Sequence, residues 1–378
     1  MIIRRFLEWS QTAPVRDRAR AAGLLVEAYL RSRMSEAERR SAEAAMVFLL
    51  DDPSPNVRFA LADALADDET APREVVCALA RDQIEVATRV LSVSPVFRDA
   101  DLVDFVADGR CELQRVIASR SGLSASVCAA LAEVGHEAAM CVLLDNADAT
   151  IAAFSLKRTA ERFGAVPEVR ARLLDRADLP CDVRHGLIFE IGGALSRLPF
   201  VAATVGAERI ERVTRDACQS AGLQLAMDVP ARELPALVEH LRMSGKLTPA
   251  FLIQALCSGN LDFFAASLTS LSGQSPKRVR GILVDGRKHA MRALYRASGL
   301  VPSVIEVFVD ATLMWRERMT GGASIDRSIP MMLVTAYAER AEGDPDLSGL
   351  LRLLDRMELR SRRQVAREIV EAALSKAA

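Results

Sequence analysis

The sequence predicts an all-α protein, an irregular HEAT-like α-solenoid of short helix pairs followed by a C-terminal helical domain. Three observations carry this. Alanine supplies 60 of the 378 residues, a composition that favours close helix packing over sheets. Related apolar segments recur from Val57, Val86, Leu113 and Ala138, in steps of 29, 27 and 25 residues. No long stretch alternates polar and apolar residues; Phe200 to Val205 is one of a few short runs that would suit a strand.

Taken in order, the chain opens with a helical stretch from Pro14 to Leu50. Leu24, Leu25, Ala28 and Tyr29 hold helical spacing, and Ser35-Glu36-Ala37-Glu38 reads as a helix start capped by Ser35. Asp51-Asp52-Pro53-Ser54-Pro55 then forces a turn. From Asn56 onward each repeated segment is followed by a second apolar one, such as Arg73–Ala80, Asp101–Val106 or Ala125–Leu131. Helices of about 8 to 11 residues are marginal alone, so neighbours must stack. The period is shorter than the roughly 40 residues of ordinary HEAT units. Asp175 to Gly192 offers another unit, with Pro180 near its start.

Beyond Pro199 the helices lengthen: Glu208–Ala221, Pro230–Met243, Thr248–Ser258 and Leu261–Ser270. Thr248-Pro249 and Ser275-Pro276 each place a capping residue before proline at the first helical position. Pro276 to Ser298 is broken at Asp285-Gly286, and Pro302 opens a helix through Trp315. Gly321-Gly322 marks a join, and a last helix runs from Leu350 to about Leu374. The domains expected are therefore an N-terminal helical cap (1–50), HEAT-like repeats (51–200) and a C-terminal helical domain (201–378).

Charge is balanced, 49 Lys and Arg against 50 Asp and Glu, which argues against a general nucleic-acid coat. The seven cysteines include no C-x-x-C pair, and their wide spacing suits neither a zinc set nor a disulfide framework. They read as small core residues in a reducing compartment. No secretory leader and no apolar run long enough for a bilayer span is visible, so the cytoplasm is the expected location.

Four groups of residues together resemble a family of uncharacterised bacterial (alphaproteobacterial) proteins designated domain of unknown function 2336. They are Gly259-Asn260-Leu261-Asp262-Phe263-Phe264, Leu268–Gly273, Val279 with Ile282-Leu283, and Ala293–Leu300. The likeness spans about residues 50 to 320. It implies HEAT-like repeats at the front and brings no reaction, so no catalytic motif is carried over.

The four histidines, His136, His185, His240 and His289, form no metal-ligand spacing. Asp51-Asp52 and Asp67-Asp68-Glu69 read as solvated turns. No phosphate-binding loop is present; the helix start at Ser275-Pro276, with Lys277 and Arg278, is a weaker anion site and more simply a cap. No cofactor or metal is expected.

One basic cluster stands out. Lys277, Arg278, Arg280, Arg287, Lys288, Arg292 and Arg296 face a single acid, Asp285, and Lys288, Arg292 and Arg296 recur every four residues along one helix stripe. The bland reading neutralises them with Glu306, Asp310 or the Glu339–Glu342 segment. Groove candidates on the repeats are Arg58, Arg89 and Arg115, each equally able to pair with an acid of a neighbouring unit. The function read from these features is a non-enzymatic cytoplasmic scaffold or regulatory adaptor that binds an acidic protein segment. Nucleic acid is disfavoured, since no stacking aromatics or groove-reading motif accompany the stripe. The alternatives are a hydrolytic or phosphoryl-transfer enzyme, with a polar pocket near Ser275-Pro276 and Arg280, and a structural homodimer through the final helices.

Overall fold

The computed structural model describes residues 9–10, 12–200, 206–319 and 328–377. Every regular element among them is helical. Residues 201–205 of the candidate strand and Gly321-Gly322 lie outside the described residues. The chain divides into two compact units, Met1–Val183 and Arg184–Ala378. None of the described helices is long and apolar enough to cross a membrane.

The first unit contains α1 (Val15–Arg31), α2 (Glu36–Leu50), α3 (Pro55–Leu65), α4 (Arg73–Leu79), α5 (Ile84–Val93), α6 (Asp99–Ala107), α7 (Cys111–Ala118), α8 (Ala125–Val134), α9 (Glu137–Asp145), α10 (Ala153–Phe163) and α11 (Pro167–Asp175). Each odd-numbered helix packs on the next odd one, from α1 to α11. In the second layer α2 packs on α4, and α6, α8 and α10 pack in series. This is a helical-repeat stack.

The same four offsets are buried in α5 (Val86, Ala87, Val90 and Leu91), α7 (Leu113, Gln114, Ile117 and Ala118) and α9 (Ala139, Met140, Leu143 and Leu144), and three of them in α3 (Val57, Leu61 and Ala62), where Arg58 takes the second place. The true counterpart of Val57, Val86 and Leu113 is therefore Ala139, one residue beyond the Ala138 that sequence alignment selects. The slip arises because Ala138 and Ala139 are equally apolar, and only packing distinguishes the exposed one from the buried one. Burial of each Leu, Ile or Val contributes about 1.5–3 kcal/mol, which is what makes helices this short stable.

Polar contacts fix the register between units. Arg120, just past α7, donates to the carbonyls of Leu91 and Ser94 at the end of α5. Asn146, past α9, donates to those of Ala118 and Arg120 at 2.9 and 2.7 Å. Arg176, past α11, donates to Leu144 at 3.1 Å, and Arg162 in α10 to Ala132 and Gly135 at 2.7 and 3.0 Å. The open carbonyls of one helix end are thus satisfied by the following unit. Buried Gln114 adds a bridge, donating to the Val106 carbonyl and accepting from the His136 N–H, both at 2.9 Å.

Local starts follow the sequence. Ser35 and Glu38 form a reciprocal capping box on α2. Asp52 departs from expectation: it is no solvated turn residue but takes a two-pronged hydrogen bond from Arg18 at 2.8 and 2.9 Å, with its side chain 7% exposed.

The second unit takes in all but the first three residues of α12 (Cys181–Ser196), then α13 (Ala207–Asp228), α14 (Leu234–Met243), α15 (Pro249–Cys257), α16 (Leu261–Ser272), α17 (Pro276–Asp285), α18 (Lys288–Ala297), α19 (Pro302–Met319), α20 (Ile329–Tyr337) and α21 (Pro345–Ala377). The core is built on α15–α21 around Phe264, Tyr295 and Phe308. The Phe264 and Phe308 rings stack 6.2 Å apart. Tyr295 is fully buried, and its hydroxyl donates to Thr312 Oγ1 at 2.5 Å because that hydroxyl already donates to the Phe308 carbonyl. The last helix packs on α20, α19 and α15, and Arg356 and Arg360 reach Asp216 of α13, each at 3.3 Å.

Candidate functional site

The basic cluster falls on the hairpin α17–α18 and on the residues around it. Thr248 and Ser275 cap α15 and α17 as their sequence positions predict, Ser275 Oγ accepting from the Arg278 N–H at 3.4 Å. That hydroxyl occupies one of the donors an anion would use at this helix start.

Three of the seven cations meet acids. Arg292 lies against Glu306 of α19, its Nε and Nη2 donating at 2.6 and 2.8 Å. Lys288 Nζ stands 3.8 Å from Asp310, one turn further along α19. Arg280 is 3.4 Å from Asp262 of α16. Hydrogen bonding from Arg292 holds the Glu306 carboxyl below the usual range, against a smaller opposing effect of burial. Lys277, Arg278, Arg287 and Arg296 are exposed and make no side-chain hydrogen bond or ion pair among the described residues. The stripe is therefore neutralised at its first two positions and open at its third.

The groove candidates also divide. Arg58 is committed to Asp82, and Arg89 to Asp63 and Asp67 of the preceding unit at 2.6 and 2.7 Å. Arg115 is exposed without an ion pair among the described residues.

Two cavities border the hairpin. The larger, of about 460 Å³, is walled by Leu256, Leu261, Phe264, Leu283, Val284 and Trp315, with Asp262, Arg280, Asp285, Thr312 and Arg316 as its polar groups. Arg316 is occupied: it donates to the carbonyls of Ile282, Leu283 and Gly286 at 2.5, 2.6 and 2.8 Å, closing the end of α17. Thr312 is occupied by Tyr295 and Phe308. The smaller cavity, of about 360 Å³, lies between α14, α16 and the start of α17. Neither brings together a nucleophile and a base at hydrogen-bonding distance, and no cluster of three or more His, Cys, Asp or Glu suited to a metal ion occurs among the described residues.

Sequence reading missed a second buried site. His185 of α12 is fully buried, its ring 4.7 Å from Phe189 and 5.3 Å from His240, and neither ring nitrogen has a hydrogen-bond partner among the described residues. Burial, with Lys246 and His240 nearby, pushes its pKa down to about 3, so it is neutral. The cysteines are free thiols; Cys128, Cys181 and Cys218 are buried. Burial pushes the Cys257 thiol up to about 12 and Cys128 to about 11, which leaves both protonated and unreactive.

Among known proteins, a family described as "Uncharacterised protein conserved in bacteria (DUF2336)" matches residues 86–343. The match begins within α5 and ends just before α21, so it starts and stops later than the span of about residues 50 to 320 expected from the resemblance. No curated protein and no solved structure matches the chain.

Proposed function

The chain belongs to the DUF2336 family, and from that premise we propose that it is a non-enzymatic cytoplasmic scaffold or regulatory adaptor that holds an acidic segment of another protein. The observation that carries this is the set of four exposed cations, Lys277, Arg278, Arg287 and Arg296, left without acidic partners among the described residues, while the other three cations of the cluster are paired. An excess of fixed positive charge on preformed helices steers and orders acidic segments. The stacked repeats of the first unit support the same reading, because successive helices present a surface longer than one domain face.

The test is capture of partners by the full chain from bacterial extract, alongside K277E/R278E/R287E/R296E. These residues are solvent-exposed, so the variant keeps its circular dichroism and unfolding midpoint. Loss of a stoichiometric partner, and weakening of the native complex by salt, is expected. A partner set unchanged by the four reversals overturns the reading.

A further inference from the structure

The two cavities of the second unit are neighbours. Asp262, Ala265 and Arg280 border both. Along α16 the larger is lined by residues 261–265 and the smaller by residues 262–270, so their walls overlap and are displaced along that helix by about one turn, roughly 5 Å. That is the separation of side chains i and i+4 on an incoming helix.

Beyond Ala265 of α16, what divides them is weak. The Arg280 and Asp262 side chains are 64% and 72% exposed and meet at 3.4 Å, an arrangement that contributes little stability and opens readily. On the wall of the larger cavity Trp315 carries a buried indole N–H with no acceptor among the described residues. Beside the smaller one, Pro276 leads directly into Lys277 and Arg278, both unpaired among the described residues, in the first turn of α17, which holds no acid; the acids lining that cavity, Glu239 and Asp262, are paired with Arg242 and Arg280.

We infer that this double furrow takes an amphipathic, acidic α-helix of a partner protein. Two large apolar side chains one turn apart enter the two cavities, and a carboxylate beside them draws Arg280 away from Asp262. Further acids lie over Lys277 and Arg278. The apolar cavities supply affinity and the cations fix direction and register. This deepens the adaptor reading and rests on it.

The probe is a fluorescein-labelled, helix-stabilised peptide of about four turns, with Leu at i and i+4 and Glu along the flanks, titrated into the full chain by fluorescence anisotropy. Saturable binding with a Kd below about 100 μM is expected, together with a shift of the Trp315 indole N–H resonance. Val284 is 63% exposed at the mouth of the larger cavity, so V284W fills the cavity without disturbing the core. It and R280E each weaken binding about tenfold, whereas D262N strengthens it. Equal binding of the peptide with Gln for Glu, equal binding by decanoate alone, no effect of V284W, or no saturable binding each overturns the inference. If V284W retains the captured partner while the four-cation reversal loses it, the furrow falls and the adaptor reading stands.

Discussion

Arg58 and Asp82 join α3 to the turn after α4 through two parallel hydrogen bonds. Nε and Nη2 of the arginine meet the two carboxylate oxygens at 2.5 and 2.8 Å, and Nη1 donates to the Asp52 carbonyl at 2.6 Å. Both side chains are almost covered, at 12% and 13% exposure. Arg58→Ala therefore leaves a covered carboxylate and an open carbonyl together. We expect a loss of about 2 kcal/mol, seen as a melting point lowered by about 5 °C. Arg58→Lys recovers only part, since an ammonium cannot span both oxygens. A loss indistinguishable from that of an exposed arginine such as Arg115→Ala would refute this.

Acid should loosen the same junction. Burial alone would raise the Asp52 and Asp82 carboxyls, but hydrogen bonds and charge from Arg18 and Arg58, with the Ser54 and Gln83 N–H groups, outweigh it and hold both below the usual range. Their contribution is present above the ordinary carboxylate pKa of about 4 and disappears as pH falls through the depressed folded values. Urea unfolding of Asp82→Asn from pH 6 downward should give a shallower acid dependence than the native chain. Parallel curves would count against the assignment.

His185 also loses stability in acid, but as a buried neutral ring rather than a paired charge. The unfolded chain takes up a proton near pH 6.5, whereas the folded imidazole resists it until about pH 3. Stability should then fall across that window with the slope of one proton. His185→Leu removes two buried nitrogens that lack partners, so it should be neutral or stabilising at pH 7.5 and clearly more stable than native at pH 5. An unchanged pH profile would show that another group, His240 or Lys246, sets it.

Gly259→Ala tests the cavity wall. Gly259 has φ +83°, and a Cβ there would stand 3.0 Å from Trp315 Cη2. Left-handed backbone costs an alanine about 1–2 kcal/mol, and the indole must also shift. A destabilisation of at least that size, with altered Trp315 fluorescence in a Trp9→Phe background, is expected; a silent substitution would mean the ring yields freely.

Much of this architecture is legible in the residues. The recurrence from Val57 to Leu113 marks the stack, and Ser35, Thr248 and Ser275 mark helix starts through a side-chain oxygen. The pairing of two of the three stripe residues is legible too, since Glu306 and Asp310 are one turn apart on a helix and so face Arg292 and Lys288 together. Contacts to backbone escape such reading. The partners of Arg120, Arg162 and Arg316 are carbonyls, which every residue carries, so no side chain announces them. The cavities escape it as well: Asp262 and Arg280 are 18 residues apart, and only the packing of α16 on α17 sets them between two hollows.

The ladder of Arg120, Asn146 and Arg176 gives the repeat stack a polarity for trimming. Each finishes a helix that came earlier in the chain, never one that comes later. Deleting units from the front merely returns a long donor to water, which hydrates it cheaply. Deletion from the back uncovers acceptors on helices that otherwise stay whole, so shortened forms should survive far better when cut from their beginning than from their end.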